Sequence, residues 1–258
     1  MKKIPQDIVG SIAILKFKKN TFWIIKKWKA MMFLKTHKNV TTVLEKKEKI
    51  SGRLRKQSTK YLAGIKTKET IYKENNCIFK YNIDEVYFSP RLSNERKLIA
   101  EEILRIAKKN QKIIVMFAGI APYPIIIAKK LKEKGKKVKI YSNELNKKAN
   151  LYAKENIRLN KLEKFIELLP GDAKKLSQKI KFDIILMPRP NLKETFLKKA
   201  IGLSKKGTII FYHGFGNKEK VLKEIKKDAQ DRIGKIEIRK AGDIGKKTYR
   251  WNAKFKVI

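Results

Sequence analysis

The sequence predicts an α/β protein: a seven-stranded, mostly parallel sheet preceded by a small α+β domain. The stretch Lys112 to Asn146, KIIVMFAGIAPYPIIIAKKLKEKGKKVKIYSNELN, sets the pattern. An apolar run (Ile113 to Met116) meets a small-residue turn (Ala118, Gly119, Ile120, Ala121). A helical run and a second apolar run ending in Glu144 follow. That is a buried parallel strand, a turn narrow enough for backbone to approach a ligand, a crossover helix and an acid at the next strand end. The second observation is that strand-like and helical runs keep alternating to the end of the chain, where the last two strands have no helix between them. Ligands of such sheets lie across the carboxyl ends of the strands, where an acid can grip ribose hydroxyls, so an adenosine-containing ligand is expected.

Residues 1 to 83 read as the small domain. Ile8 to Phe17 is mostly apolar and predicts one strand, and Phe22 to Phe33 predicts a helix. Three short strands are expected at Lys49 to Arg53, Tyr61 to Ile65 and Cys77 to Tyr81, separated by polar turns such as KENN. Residues 84 to 258 form the larger domain. Ser89-Pro90 breaks the chain, and from Leu92 apolar residues recur at helical spacing, with Glu95 and Arg96 in the first turn. A first-turn Glu also satisfies helix-dipole and capping preferences, so position alone leaves a structural role open.

Beyond the opening unit, a helix from Lys147 to Asn160 leads to a strand at Phe165 to Leu169. Pro170-Gly171-Asp172 then presents a carboxylate at a strand end. A strand at Phe182 to Met187, the turn Pro188-Arg189-Pro190, a helix at Leu192 to Leu203 and a strand at Gly207 to Tyr212 follow. After a helix at Lys218 to Asp228, the runs Lys235 to Arg239 and Tyr249 to Val257 predict an antiparallel hairpin at the sheet edge. A seven-stranded Rossmann-like sheet with a terminal hairpin is the layout of S-adenosylmethionine methyltransferases.

Composition narrows the partners. The 65 Lys and Arg against 24 Asp and Glu give a net charge of +41, which self-repels unless a polyanion offsets it, so nucleic acid is the expected partner. Residues 1 to 83 hold 21 basic and 5 acidic residues, a net +16, and are the more basic part per residue, which makes them the candidate RNA-docking surface. No apolar run approaches the roughly 18 residues of a membrane span, and Pro5, Asp7 and Gly10 interrupt any signal-like core, so the chain reads as cytosolic. A single cysteine, Cys77, excludes an internal disulfide, and two histidines argue against a zinc site. With 55 Lys and only 10 Arg, arginine is expected where a planar bidentate donor is required.

The blocks HKNVTTVL (37 to 44), TIYKENNCIFK (70 to 80), YFSPRLSNER (87 to 96), VMFAGIAPYP (115 to 124), KENIRLNKLE (154 to 163), PGDA (170 to 173) and HGFG (213 to 216) are specific in combination. Through them the chain resembles the archaeal and eukaryotic tRNA guanine-37 N1-methyltransferases over essentially its whole length. The resemblance implies methyl transfer from S-adenosylmethionine to the base at position 37 of tRNA, beside the anticodon. It implies that Phe117, Gly119 and Pro122 shape the methionine pocket, that Glu144 holds the ribose and that Asp172 faces the adenine. Tyr87, Arg91, Leu145, Ala173 and Met187 complete the implied cofactor set. Glu95 resembles the family's general base, because guanine N1 becomes a nucleophile only as its proton leaves. Arg55, or Arg53 two residues earlier, resembles the arginine that stabilises charge on O6, and Arg96 organises the site.

Three departures from the family pattern stand out. Val115 occupies the place of an acid and Ala121 that of a turn glycine. The family's additional N-terminal domain has no counterpart, so tRNA discrimination is expected to rest on residues 1 to 83. Pro188-Arg189-Pro190-Asn191 replaces Asn-Leu-Pro-Lys, which removes an amide and stiffens the loop. That loop resembles the subgroup that also methylates 4-demethylwyosine-37 at C7. A one-reaction enzyme is the alternative, and a non-catalytic RNA-binding protein on the same scaffold is the alternative of another class.

Overall fold

The computed structural model describes residues 4–47, 57–245 and 248–258. The first unit is a four-stranded sheet of β1 (Gln6–Val9), β2 (Ile12–Leu15), β3 (Thr42–Lys46) and β4 (Thr59–Gly64), in that order, with α1 (Trp23–Thr36) crossing between the parallel strands β2 and β3. The single strand expected over Ile8 to Phe17 is instead the antiparallel hairpin β1–β2. Its corner is Gly10, at φ +56°, where a Cβ would lie 2.2 Å from the Ile71 carbonyl oxygen. Only glycine fits that approach, and an apolar run with a glycine inside it folds back rather than extending. The strand expected at Lys49 to Arg53 lies outside the described residues, whereas β3 was hidden in the polar-looking TTVLEK.

The sheet alternates its contacts. Val9, Ile12, Ile14 and Leu44 face the main body, while Ala13, Leu15, Val43 and Leu62 pack against Ala30, Phe33 and Leu34 of α1. A hairpin of β5 (Glu69–Glu74) and β6 (Cys77–Asn82) follows, turned at Asn75 and Asn76, both with positive φ, as a two-residue primed turn demands. This hairpin lies against the larger unit: Asn160 accepts from Ile78 N at 3.0 Å and Asn156 from Lys80 N at 2.7 Å.

A short 3₁₀ turn at Pro90–Leu92 leads into α2 (Ser93–Ile106), whose Ile99, Ala100 and Ile103 are fully buried. Each such isoleucine contributes about 1.5–3 kcal/mol by leaving water. Then come β7 (Lys112–Met116), α3 (Pro122–Glu133), β8 (Lys139–Glu144), α4 (Lys147–Leu159), β9 (Ile166–Pro170), β10 (Phe182–Met187), α5 (Leu197–Gly202), β11 (Ser204–Gly216), α6 (Lys218–Ala229), β12 (Glu237–Gly245) and β13 (Thr248–Lys256). The helix expected from Leu192 begins only at Leu197. Arg189 draws the carbonyls of Leu192 and Glu194 to its guanidinium at 3.0 and 3.3 Å, so that stretch stays a loop.

The seven-stranded sheet runs β12-β13-β11-β10-β7-β8-β9, with β13 antiparallel to both neighbours, as the missing crossover helix requires. Its central strand serves two cores. Ile113 and Val115 point toward α2, α3 and α4, and Ile114 and Met116 toward α5 and α6. After β7 the order of building reverses, from β8 and β9 on one side to β10 and β11 on the other. The crevice between β7 and β10 is therefore the switch point where such sheets bind ligands. Among the described residues, no helix is long and apolar enough to cross a membrane.

Candidate active site

A cavity sits over this switch point. The ends of five strands wall it: Phe117 to Gly119 after β7, Asn143 to Asn146 at β8, Gly171 to Ala173 after β9, Pro188 to Pro190 after β10, and His213 on β11. Tyr87, Phe88, Ser89, Leu92 and Arg96 close it from the segment entering α2, and Pro122 and Tyr123 from α3.

The turn after β7 is wound by alternating left-handed residues: Phe117 at φ +58°, Gly119 at +59° and Ala121 at +65°. Phe117 and Ala121 carry a Cβ there, a strained arrangement that persists because the surroundings fix it. One fixing contact is Glu144, whose Oε2 accepts from Gly119 N and whose Oε1 accepts from Asn146 N, each at 2.8 Å. Burial pushes the Glu144 carboxyl above the usual range, against the pull of the backbone N–H groups of Asn146, Gly119 and Leu145. Asn146 caps α4 and holds the Glu85 carbonyl at 2.9 Å, which ties the Tyr87 segment to the cavity rim. Asp172 accepts from Lys174 N at 3.0 Å and so presents its carboxylate beside the opening.

On the other side, Glu95 is 4% exposed. Arg239 grips it through Nη1 to Oε2 at 2.6 Å and Nη2 to Oε1 at 3.0 Å, and Asn252 donates to Oε1 at 3.0 Å. His213 Nε2 lies 3.4 Å from Oε1, a contact rather than a formed hydrogen bond. Burial raises the Glu95 carboxyl, but His213 and Arg239 outweigh it and hold the group below the ordinary glutamate value. Burial lowers His213, against the opposing pull of Glu95. Arg96, 2% exposed, forms a two-pronged pair with Glu74 of β5, holds the Ser89 carbonyl at 3.0 Å and stacks 4.8 Å from the Phe88 ring centroid. Arg189 bonds Glu224 at 2.7 Å and lies over Tyr212 and Phe215.

The sequence of residues 70–238 fits the model of the TRM5/TYW2 methyltransferase domain. The chain belongs to the TRM5/TYW2 methyltransferase family. It is 33% identical to the tRNA (guanine(37)-N(1))/4-demethylwyosine(37)-methyltransferase Taw22 of Nanoarchaeum equitans, over 95% of this chain and 96% of that protein. It is 34% identical to the tRNA (guanine(37)-N(1))-methyltransferase Trm5b of Pyrococcus abyssi, over 81% of this chain but only 59% of the relative. A solved complex of aTrm5 with tRNALeu superposes with a TM-score of 0.86 at 28% identity, over 99% of this chain and 72% of the other.

Of the residues the TRM5/TYW2 resemblance singled out, the structure brings Tyr87, Arg96, Phe117, Gly119, Pro122, Glu144, Leu145, Asp172, Ala173, Pro188 and Pro190 into one cavity wall. Among the described residues, Arg91, Met187 and Glu95 fall elsewhere. Arg91 is exposed and pairs with Asp7 of β1, because the 3₁₀ turn points it outward. Met187 is fully buried among Ile114, Ile185 and Leu197, since the last residue of a two-sided strand packs in the core. Arg55 and Arg53 lie outside the described residues. Glu95 is buried behind the wall rather than in it. Val115 is also fully buried and faces the helices, so its apolar side chain removes no group from the cavity.

The residues present fit an adenosyl group. The Glu144 carboxylate accepts from the backbone N–H groups of Gly119 and Asn146, with that of Leu145 also close, and still has acceptor capacity for a ribose hydroxyl. Sequence reasoning missed Glu74, His213, Asn252 and Arg239 as a set. His213 and Glu74 lay inside quoted motifs, but Arg239 meets Glu95 from 144 positions away, and only the scarcity of arginine marked it.

Proposed function

We propose that this chain methylates the base at position 37 of tRNA with S-adenosylmethionine as donor, acting on N1 of guanine and on C7 of 4-demethylwyosine. The observation that supports it best is that one cavity is lined by Gly119, Glu144 and Asp172 and also by Pro188, Pro190 and His213. The bound donor supplies an electrophilic methyl. Glu144 orients the ribose while fixing the Gly119 turn, and Asp172 faces the adenine. Glu95, held ionised behind the cavity wall, is the proposed final acceptor of the N1 proton of guanine, which reaches it by way of His213, the cavity-lining residue whose Nε2 lies 3.4 Å from Glu95 Oε1. Tyr87, Phe88 and Leu92 exclude water from the reacting side. The target base leaves its stack to enter.

The prolines favour the two-substrate reading over the one-reaction alternative. Both line the cavity, and neither demands a hydrogen bond from the incoming base, so a bulkier tricyclic substrate meets no unsatisfied amide. Incubation with a guanine-37 transcript and, separately, with tRNA carrying 4-demethylwyosine-37 is expected to give both methyl products by nucleoside mass spectrometry. Product from guanine alone would leave a one-reaction enzyme.

Residues 1–83 are the proposed tRNA-docking domain, on their net charge of +16. Affinity for tRNA is accordingly expected to fall on the order of 1,000-fold between about 50 and 200 mM salt. A flat response in filter binding would remove the lysine–phosphate account.

A further inference from the structure

His213, Asn252 and Arg239 stand directly opposite one another on three adjacent strands. His213 of β11 pairs with Asn252 of β13, and Asn252 pairs with Arg239 of β12. Residues opposite across a sheet share a face, at a spacing of about 4.8 Å. All three side chains in this row converge on one carboxylate, Glu95 of α2. The row has a sheltered end and an open one: His213 lines the cavity, and Arg239 sits half-buried at the sheet edge.

We infer that Arg239 and Asn252 are positioning residues for methyl transfer: the terminal hairpin aims the Glu95 carboxylate and keeps it ionised, with His213 as the member of the row nearest the substrate. The inference rests on the reading of Glu95 as the base. Two N–H groups of one planar guanidinium fix the carboxylate plane, which lysine could not do with a point charge. Asn252 adds a third donor to the oxygen that His213 approaches. Among the described residues of the hairpin, Lys254 reaches Glu237 and Glu102 only at 3.4 and 3.9 Å. Lys240 and Asp243 form only an exposed local pair, whereas Arg239 is also braced by Glu102 of α2, with Nε 3.5 Å from its carboxylate.

The geometry makes the hairpin part of the reaction, and pH separates that role from a structural one. The charged and titratable groups around Glu95 are Arg239 on β12, Arg250 on β13, His213 on β11, Tyr123 on α3, and Arg96 and Glu102 on α2. Of these, Arg239 is the bidentate cation, so its loss moves Glu95 upward.

The test is single-turnover methylation of a guanine-37 transcript against pH for the full chain, alongside a carbon-13 NMR titration of the glutamate carboxyls, with Glu95→Gln identifying the Glu95 signal. In Arg239→Gln, the acid limb of the rate profile and the Glu95 titration are both expected to move to higher pH, on the order of one unit. The tRNA dissociation constant should stay within about twofold. Arg239→Lys should restore the limb but not the full rate. A wild-type acid limb and an unmoved Glu95 titration in Arg239→Gln would overturn the inference. A wild-type rate in Glu95→Gln would instead overturn the base assignment, while the NMR arm still reports whether Arg239 controls the carboxyl. If Arg239→Gln fails to fold, Asn252→Leu is read in the same two assays, and an unchanged rate and titration there count against the positioning row.

Discussion

Glu95→Gln is expected to lower the single-turnover rate of methylation of guanine-37 by about 100-fold or more, with tRNA affinity nearly unchanged. The substitution keeps the shape of the side chain and leaves one oxygen to accept from Asn252 and one prong of Arg239, but its NH2 cannot accept from the second prong and the charge that accepts a proton is gone. Guanine N1 then has to lose its proton to water, and a positioned general base accounts for about 100- to 10,000-fold of rate in comparable reactions. Because Arg239 and His213 hold the wild-type carboxyl below the ordinary glutamate value, the rate should stay on its plateau well into mildly acid solution. The same lowering makes Glu95 a source of stability above the ordinary glutamate range. That stability is lost as pH falls through the lowered value, and Glu95→Gln should flatten this acid-side dependence. Equal loss of rate and of thermal stability at neutral pH would make Glu95 a structural tie between α2 and the terminal hairpin.

Much of this site was legible because its residues sit at strand ends within local motifs. The small-residue turn after an apolar run announced the β7 crossover, and Glu144 and Asp172 each close a strand. What stayed hidden depends on register and distance. That the last two strands pair antiparallel followed from the missing helix, but which residue of β12 meets Asn252 depends on irregularities between Lys240 and Gly242 and between Asp243 and Gly245, which no periodicity encodes. The β1–β2 corner was missed for a related reason: it is the approach of Ile71, 61 residues on from Gly10, that makes the glycine obligatory.

The lysine-dominated composition sharpens the meaning of each arginine. Arg96, Arg189 and Arg239 each meet a carboxylate with low or partial exposure, and Arg96 and Arg239 do so with two prongs. Lysine serves the solvated faces, where a point charge suffices. Arg91 shows the limit of that rule: it is an exposed arginine in a surface pair with Asp7, the kind of pair that contributes little.

Arg96→Ala is the substitution expected to cost the fold most. Both side chains of the Arg96–Glu74 pair are 2% exposed, and removing Arg96 leaves the Glu74 carboxylate without its cation. Breaking a buried pair by removing one member costs about 3–5 kcal/mol, because the remaining charge stays unpaired in the interior. For a chain of this size that corresponds to a fall in Tm of roughly 10 °C. The guanidinium also holds the Ser89 carbonyl and stacks on Phe88, so the segment that closes the cavity should loosen and the KM for tRNA should rise. Calorimetry on Arg96→Ala, Glu74→Leu and the double variant Arg96→Met with Glu74→Leu separates the contributions. The double variant should recover most of the stability, since an apolar pair of similar volume replaces the charges. Activity should not recover with it, because methionine cannot hold Ser89. A single Arg96→Ala variant as stable as the wild type would mean that water reaches Glu74, and the pair would then be a surface bridge rather than the pin between the β5–β6 hairpin and the active-site helix.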